Sequence, residues 1–387
     1  MVFKTYKMND MKGKQGMVCM GLLLVLSSCH TGKQITASGL QRKDFQTEVN
    51  GQHTDLFTLS NKQGMEVCIT NYGARVVSIL VPDRNGKRED VVCGFSTITE
   101  YMEQRQNFGS TVGRYIGRIL NARFTLDGVE YKLVPNNGKS GHISHGGNPG
   151  FADRIWKVEQ ADTHRVRLSY LSPDGENGFP GNLKVTLVYS LGEDDNALDL
   201  TYEATTDAPT VLNLSHHSFF NISGNFTKSV EDQQLWVDAD RFTPYDDKKC
   251  VTGEYLQVAG TPLDFRMPHA IGECIDADHP QLKVVNGYDH TWELNTKGDD
   301  TRPAAWVYEP ASGRKMEIFT TEPGMQIYTG NGLKGKMTGK RGIAYPFRSA
   351  VCFETMHFQD SPNQPGFPST VLRPGEVFRS HTVYKFE

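Results

Sequence analysis

Beyond its first 28 residues the chain has no cluster of basic side chains. The formal net charge of the 387 residues is −4, and residues 1–28 contribute +3, so the remainder carries about −7 (−4 minus +3). A mildly acidic surface does not attract a phosphate backbone, so the composition argues against nucleic acid as a partner. Charged sugars remain compatible with this balance, although neutral sugars fit it better.

Paired cysteine motifs are also missing. Cys19 and Cys29 lie near the N-terminus, which leaves an odd number of cysteines in the rest of the chain, without any C-x-x-C spacing. This pattern indicates neither a zinc site nor a disulfide framework. Cys68, Cys93 and Cys352 lie in apolar runs, which predicts that they are core residues.

The chain has no apolar run long enough to span a bilayer. Residues 17–26 are apolar but short, and they follow Lys4, Lys7, Lys12 and Lys14. The next residues, Leu26-Ser27-Ser28-Cys29, are similar to a bacterial lipobox. We therefore predict a lipoprotein signal peptide over residues 1–28, lipidation of Cys29, and a polar, lipid-anchored tether over residues 29–44.

The predicted location is the bacterial cell envelope, where the protein would be a membrane-anchored lipoprotein of the periplasm or the outer membrane. An ordinary signal peptide that ends near a cysteine is the alternative.

Helical periodicity is scarce as well. β-branched runs separated by turn residues predict strands at 65–70, 75–81, 165–170, 183–191, 198–204 and 316–320. Residues 123–133 alternate about Asp127-Gly128, which predicts a hairpin. A short helix is expected near residues 98–104, and no segment predicts a helix of three turns. We expect one large antiparallel β-sandwich over residues 45–387.

Glu354 stands inside the apolar run 350–358. A carboxylate is costly there unless it is paired with another group or has a function. Desolvation raises the pKa of a carboxyl group toward neutrality, which suits a general base. A structural Glu, satisfied by backbone N–H groups or by an Arg, is the alternative.

Four further polar clusters interrupt the strand pattern. Arg114 and Arg118 lie in a glycine-rich stretch, where an Arg fork can hold hydroxyls or a carboxylate, and Asp289 lies in a turn-like loop. The remaining two are histidine clusters, His142 with His145 and His216 with His217. Neighbouring histidines on one strand point to opposite faces, so His216 and His217 cannot easily bind the same ion, and we predict no metal site.

In their order along the chain these motifs resemble the aldose 1-epimerase family, the galactose mutarotases, from about residue 51 onward. The motifs are Gly113-Arg114-Tyr115 with Arg118-Ile119, Asn136-Asn137 with His145-Gly146-Gly147, Gly287-Tyr288-Asp289-His290, and residues 213–221, 323–331 and 353–363. The resemblance implies a galactose mutarotase-like β-supersandwich with an open cleft for a free aldose.

The resemblance also implies the roles of individual residues. The reaction it implies needs no cofactor. Glu354 matches the general base and His217 the general acid. The groups around the sugar match Arg118, His145, Asp289 and Gln326. Three departures bear on the site: Gly117 and His216 stand where the family usually has Asn, and the loop ahead of His145 is longer than the common form.

The expected function is interconversion of the α and β anomers of a galactose- or glucose-like aldose. We expect a monomer whose partners are a small-molecule sugar and, through the lipid anchor, a membrane. Two alternatives stay open at this point. One is a non-catalytic glycan-binding lipoprotein, and the other is a glycoside hydrolase that uses Glu354 and Asp289 as its carboxyl pair.

Overall fold

The computed structural model describes residues 34–387. The predicted signal peptide and Cys29 therefore lie outside the described residues. Within residues 34–387 no helix has the length and apolar character needed to cross a membrane.

Strands dominate the described part of the chain, with two short helices, α1 (Ile98–Gln104) and α2 (Pro280–Val285). The strands are β1 (Glu48–Val49), β2 (Gln52–His53), β3 (Leu56–Ser60), β4 (Glu66–Thr70), β5 (Arg75–Pro82), β6 (Arg88–Asp90), β7 (Ser110–Val112), β8 (Arg118–Ile119), β9 (Arg123–Leu126), β10 (Val129–Lys132), β11 (Ile143–Ser144), β12 (Lys157–Ala161), β13 (Arg165–Ser172), β14 (Leu183–Leu191), β15 (Ala197–Thr206), β16 (Thr210–Val211), β17 (Ser215–His217), β18 (Phe219–Phe220), β19 (Gln234–Val237), β20 (Arg241–Thr243), β21 (Leu256–Gln257), β22 (His269–Ala270), β23 (Asp289–Glu293), β24 (Ala305–Tyr308), β25 (Lys315–Thr320), β26 (Gly324–Tyr328), β27 (Val351–Met356), β28 (Val371–Leu372) and β29 (Phe378–Phe386).

A nine-stranded antiparallel sheet forms one layer, in the order β12-β13-β14-β15-β29-β25-β24-β19-β22. Its strands alternate buried and more exposed residues. In β14, Leu183, Val185 and Leu187 are buried while the residues between them are not. This period of two directs one apolar face inward and leaves the other polar face toward solvent.

Two smaller antiparallel sheets cover the apolar face. One has the order β3-β4-β5-β6 and the other the order β18-β27-β26-β23-β20-β21. Val185 and Leu187 of the large sheet share a single apolar cluster with Ile69 of the first small sheet and with Ile327 and Phe353 of the second. The predicted all-β antiparallel sandwich is therefore confirmed.

The local signals in the sequence agree with the observed elements. The Asp127-Gly128 turn joins β9 and β10 in register, with Leu126 opposite Val129. Helix α1 begins with a capping box in which Thr97 accepts a hydrogen bond from the backbone N–H of Glu100. Helix α2 was not expected. It is under two turns long, and the signal that marks its start is Pro280 in the first turn.

The tether predicted over residues 29–44 is wrong for residues 34–44, which pack onto the domain. The backbone N–H groups of Ala37 and Ser38 donate to Glu66 Oε1 at 2.7 and 3.2 Å, and Leu40 is buried. The polar composition of the segment suggested free chain. Its polar atoms are instead bonded to β4 and its neighbours, so the packed domain reaches back at least to residue 34.

Candidate active site

A cleft of about 240 Å³ opens on the side of the six-stranded sheet that faces away from the sandwich core. Its volume lies somewhat below the range of roughly 300–1,000 Å³ found for drug-sized ligands, which fits a smaller ligand. All the predicted catalytic and sugar-binding residues line it. The lining residues are Gln106, Asn107, Gly117, Arg118, Ser144, His145, His217, Phe219, Asp289, Gln326, Tyr328, Glu354, Met356 and Gln359.

Strand register places Glu354 and Gln326 side by side on the cleft floor. They are directly opposed on the antiparallel pair β26 and β27. Their neighbours Ile327 and Phe353 point the other way, into the sandwich core. Because side chains alternate along a strand, the core residues of β26 and β27 also fix which residues face the cleft.

His217 reaches the same floor from β17, which pairs with β7 at the side of the cleft. Its ring stacks on Phe219, with centroids 5.1 Å apart. His217 Nε2 lies 3.4 Å from Glu354 Oε1, and both side chains are more than 90% buried. On the other side of the ring, Nδ1 lies 3.6 Å from Cys352 Sγ. Two groups that are far apart in sequence thus lie side by side on the cleft floor.

Burial shifts the pKa values of this pair in opposite directions. It raises the pKa of Glu354 well above its ordinary value, and the nearby Asp289 carboxylate raises it further. It lowers the pKa of His217 well below its ordinary value, with a further contribution from His145. Both shifts favour the neutral form of each group, because a charge is poorly solvated in this cleft.

Gln326 connects the cleft floor to Asp289. Its Nε2 donates to Asp289 Oδ1 at 2.6 Å, and its Oε1 accepts from Thr291 Oγ1 at 2.5 Å. Burial raises the pKa of Asp289, while Arg118 and the Gln326 hydrogen bond oppose that shift. The second carboxylate oxygen of Asp289 and the Arg118 guanidinium give the cleft a pair of groups suited to sugar hydroxyls.

The loop around His145 lines the cleft beside His217, with the two ring centroids 5.5 Å apart. The backbone N–H of His145 donates to the Gly117 carbonyl at 2.9 Å, and His145 adopts a left-handed conformation with φ 52°. A Cβ on the next residue, Gly146, would lie 2.0 Å from the Gly113 carbonyl oxygen, so the turn needs glycine there. Burial and Arg118 lower the pKa of His145 to about 4, so its ring is neutral.

Of the arginine, histidine and aspartate residues named in the four polar clusters, three do not line the cleft. Arg114 points into the protein and donates to the carbonyls of Pro180 and Gly181 at 2.8 and 2.9 Å. His142 accepts from the Asn121 backbone N–H and contacts Cys250. His216 faces the reverse side of its strand and bonds Ser218 Oγ at 2.7 Å. Of the two arginines in the glycine-rich stretch, Arg118 alone lines the cleft.

Gln359 lines the cleft and was missed by the sequence reasoning. Its Nε2 donates to Tyr245 Oη at 2.7 Å and to Gln326 Oε1 at 3.3 Å, and its Oε1 accepts from the backbone N–H of Arg118 at 3.2 Å. A Cβ on Gly117 would lie 2.5 Å from Gln359 Cγ, so the glycine makes room for the amide. Two features of the sequence could have indicated it. Gly117 replaces the Asn that is usual in the family, and Gln359 lies in the same motif as Glu354.

Cys352, His217 and Glu354 also present metal-ligand atoms, which all lie within 4.8 Å of one another. In the geometry seen here Cys352 contacts one ring nitrogen of His217 and Glu354 the other. Binding of one ion by all three would require rearrangement, since an imidazole offers a single nitrogen to a given metal.

Comparison with known proteins agrees with this geometry. The sequence model of the aldose 1-epimerase family matches residues 55–385. The galactose mutarotase of Bos taurus is 40% identical over 331 residues, which cover 85% of this chain and 93% of that protein. The aldose 1-epimerase of Escherichia coli K12 is 36% identical over 340 residues, which cover 87% of this chain and 96% of that protein.

Solved structures show the same relation. An aldose epimerase homologue from C. elegans superposes with a TM-score of 0.79 at 31% identity, covering 86% of this chain and 99% of that one. The galactose 1-epimerase of Lactobacillus acidophilus gives a TM-score of 0.76 at 28% identity, covering 88% and 96%. The chain therefore belongs to the aldose 1-epimerase family of isomerases, which interconvert the α and β anomers of aldoses.

Proposed function

We propose that Glu354 is the general base and His217 the general acid of this isomerase, acting on a free galactose- or glucose-like aldose. The observation that supports the assignment most directly is the 3.4 Å approach of His217 Nε2 to Glu354 Oε1 on the floor of a cleft lined with hydrogen-bonding side chains. Either residue can exchange a proton with the sugar from there. Each positioned proton transfer contributes about 10²–10⁴-fold to a rate.

Ring opening requires one proton removed and one supplied. The Glu354 carboxylate takes the proton of the anomeric hydroxyl, and the His217 imidazolium gives a proton to the ring oxygen. The C1–O5 bond breaks and C1 becomes an aldehyde. After rotation about C1–C2 the ring oxygen attacks the other face, His217 takes back its proton and Glu354 returns one to the new anomeric hydroxyl.

The opposed pKa shifts suit this cycle. In this cycle Glu354 and His217 share one acidic proton, which either residue can carry. Carboxylate with imidazolium is ready to open the ring, and carboxylic acid with neutral imidazole is ready to close it. Burial destabilises the charged arrangement relative to the neutral one.

The other four residues would hold the sugar's remaining hydroxyls. Asp289 and Gln326 form one joined acceptor–donor pair, and Arg118 and His145 supply further polar groups of the cleft lining. A buried polar group left unpaired is costly, so these side chains favour sugars that satisfy them.

A polarimetric assay tests the reaction and its substrate range. Freshly dissolved α-galactose, α-glucose and other aldoses should reach their equilibrium rotation faster with the protein than without it. An aryl glycoside should release no sugar. Release of sugar without mutarotation would favour a glycoside hydrolase, and binding without either would favour a glycan-binding lipoprotein.

We also propose that the protein is a monomeric lipoprotein anchored in the cell envelope through Cys29. The support is the sequence of residues 1–29, in which a basic and then an apolar segment precede Leu26-Ser27-Ser28-Cys29. The protein should partition with membranes, and Cys29→Ser should release it or leave it unprocessed. Wild-type protein that is fully soluble and carries no lipid contradicts the anchor. Light scattering of detergent-solubilised protein measures the oligomeric state.

A further inference from the structure

Strand β27 supplies contacts to both ring nitrogens of His217. Cys352 and Glu354 are two residues apart on β27, so their side chains project from the same face. Cys352 Sγ lies 3.6 Å from Nδ1, and Glu354 Oε1 lies 3.4 Å from Nε2. Backbone pairing of Cys352 with Phe219, on which the ring stacks, fixes the thiol beside it.

The partner of His217 Nδ1 is the thiol of Cys352, which is neutral. Cys352 is fully buried, and burial raises the pKa of its thiol well above the ordinary value, with Glu354 adding to the shift. A thiol is a weak acceptor and a weak donor, so it can orient an imidazole N–H without placing a charge beside it.

Two other histidines show what a charged partner does. His381 lies between Asp199 and Asp300, whose hydrogen bonds raise the pKa of the ring to about 9 against the effect of burial. His357 is bonded to Glu322, and its pKa is also raised. A histidine with a carboxylate on Nδ1 holds its proton firmly and is a weak acid.

We propose that Cys352 is the positioning residue of the acid His217: its sulfur accepts the Nδ1–H, which leaves Nε2 as the nitrogen that gives and takes the proton in the cleft. The proposal rests on the acid role given to His217 above. Cys352 does not touch the sugar. It keeps the imidazole in one tautomer and one orientation, and because it is uncharged it leaves the imidazolium a strong acid.

The kinetic test compares Cys352→Ala with Cys352→Ser. Loss of the Nδ1 partner should lower kcat by about 10-fold, the lower end of the loss seen when a metal-bound histidine loses its hydrogen-bond partner. KM should change by less than about 2-fold. The serine hydroxyl can accept the same N–H, so Cys352→Ser should recover kcat to within about 3-fold of wild type. Cys68→Ala is the matched control, because Cys68 is equally buried, lies in the same apolar cluster and does not line the cleft.

Nitrogen NMR of the histidines gives a readout that does not depend on activity. Neutral His217 should carry its proton on Nδ1 in the wild type and in Cys352→Ser, and should shift toward Nε2–H in Cys352→Ala. Wild-type His217 protonated on Nε2, or a Cys352→Ala protein with wild-type kcat, overturns the proposal, as does a serine variant as slow as the alanine variant. Absence of mutarotation in the wild type would instead refute the proposed function.

Discussion

Two Glu–His pairs each have a member in or next to β27, and they differ in exposure, separation and pKa shifts. Glu354 and His217 are both buried in the cleft, whereas His357 is partly exposed beside the buried Glu322. His357, just beyond the end of β27, binds Glu322 with Nδ1 to Oε2 at 2.7 Å. His217 and Glu354 in the cleft are 3.4 Å apart. Neither Glu322 nor His357 lines the cleft, whereas Glu354 and His217 both do.

The pKa shifts separate the two pairs further. Burial lowers the pKa of His357, but the Glu322 hydrogen bond and charge outweigh burial and raise it overall. In the cleft, burial dominates and moves the pKa values of Glu354 and His217 toward their neutral forms. A short charge-assisted bond stabilises the fold and holds the proton of the His357 pair, whereas the longer separation in the cleft pair holds a proton less firmly. With the roles proposed above, the same two residue types would serve stability in one place and proton transfer in the other.

The largest expected effect comes from disabling the cleft pair. His217→Asn should lower turnover by about 10²–10⁴-fold, because it removes the proton donor. Adding Glu354→Gln should make the double variant hardly slower than the poorer single one, since the two residues act as a unit. His357→Asn is the matched control, and its turnover per folded molecule should stay near wild type. Polarimetry on the wild type, the two single variants, the double variant and the control measures this, and additive losses would contradict a coupled pair.

A smaller loss is expected when the sugar contacts around the cleft pair are removed. Asp289→Asn, Arg118→Ala and His145→Ala should each lower kcat/KM by roughly 10–100-fold, or about 1.4–2.8 kcal/mol of transition-state binding, mostly through KM. Initial rates over a range of galactose concentrations give both constants. If kcat/KM is unchanged in all three variants, these residues do not hold the substrate.

Gly117 and Gln359 should show a coupled effect of similar or smaller size. Gly117→Asn forces a side chain against Gln359, and such overpacking typically costs about 1–3 kcal/mol. Gln359→Ala removes the obstructing amide, so the double variant should be more active and more stable than Gly117→Asn alone. A double-mutant cycle on melting temperature and kcat/KM measures the coupling. Purely additive effects would show that the two residues do not share this space.

The pair outside the cleft should affect stability alone and leave the reaction rate unchanged. The raised pKa of His357 means that its pair stabilises the fold fully at pH values below the unfolded pKa of about 6.5 and loses this contribution as pH rises through the folded value. Glu322→Gln should cost about 1–3 kcal/mol near pH 6, and the gap from wild type should shrink at alkaline pH. Urea unfolding at several pH values checks this, and a gap that widens with pH would contradict it.

Much of this arrangement was predictable from the sequence. Period-two alternation and the Asp127-Gly128 turn predicted the sandwich, because they depend on local backbone geometry. The motifs around Glu354 and His217 predicted residues that the fold brings into one cleft. Their partners were not predictable, because strand register over long sequence distances decides them. Cys352 was expected only to fill the core, and the sequence does not show that Gln359 fills the space left by Gly117.

The proton states were also beyond the sequence. Reference pKa values alone suggest that near neutral pH Glu354 is a carboxylate and that His217 can exchange a proton readily. Burial in the cleft, which comes from the packing of β17 against β27, shifts both groups toward neutrality. The difference between the two Glu–His pairs therefore arises from tertiary packing and not from residue type.

The most direct test makes the same substitution in both pairs and measures mutarotation rate and melting temperature on each protein. Glu354→Gln should lose at least about 10²-fold in rate while its melting temperature stays level or rises, because a costly buried carboxyl is removed. Glu322→Gln should melt a few degrees lower and keep its rate per folded molecule. A Glu354→Gln protein that melts lower and remains fully active would contradict the account.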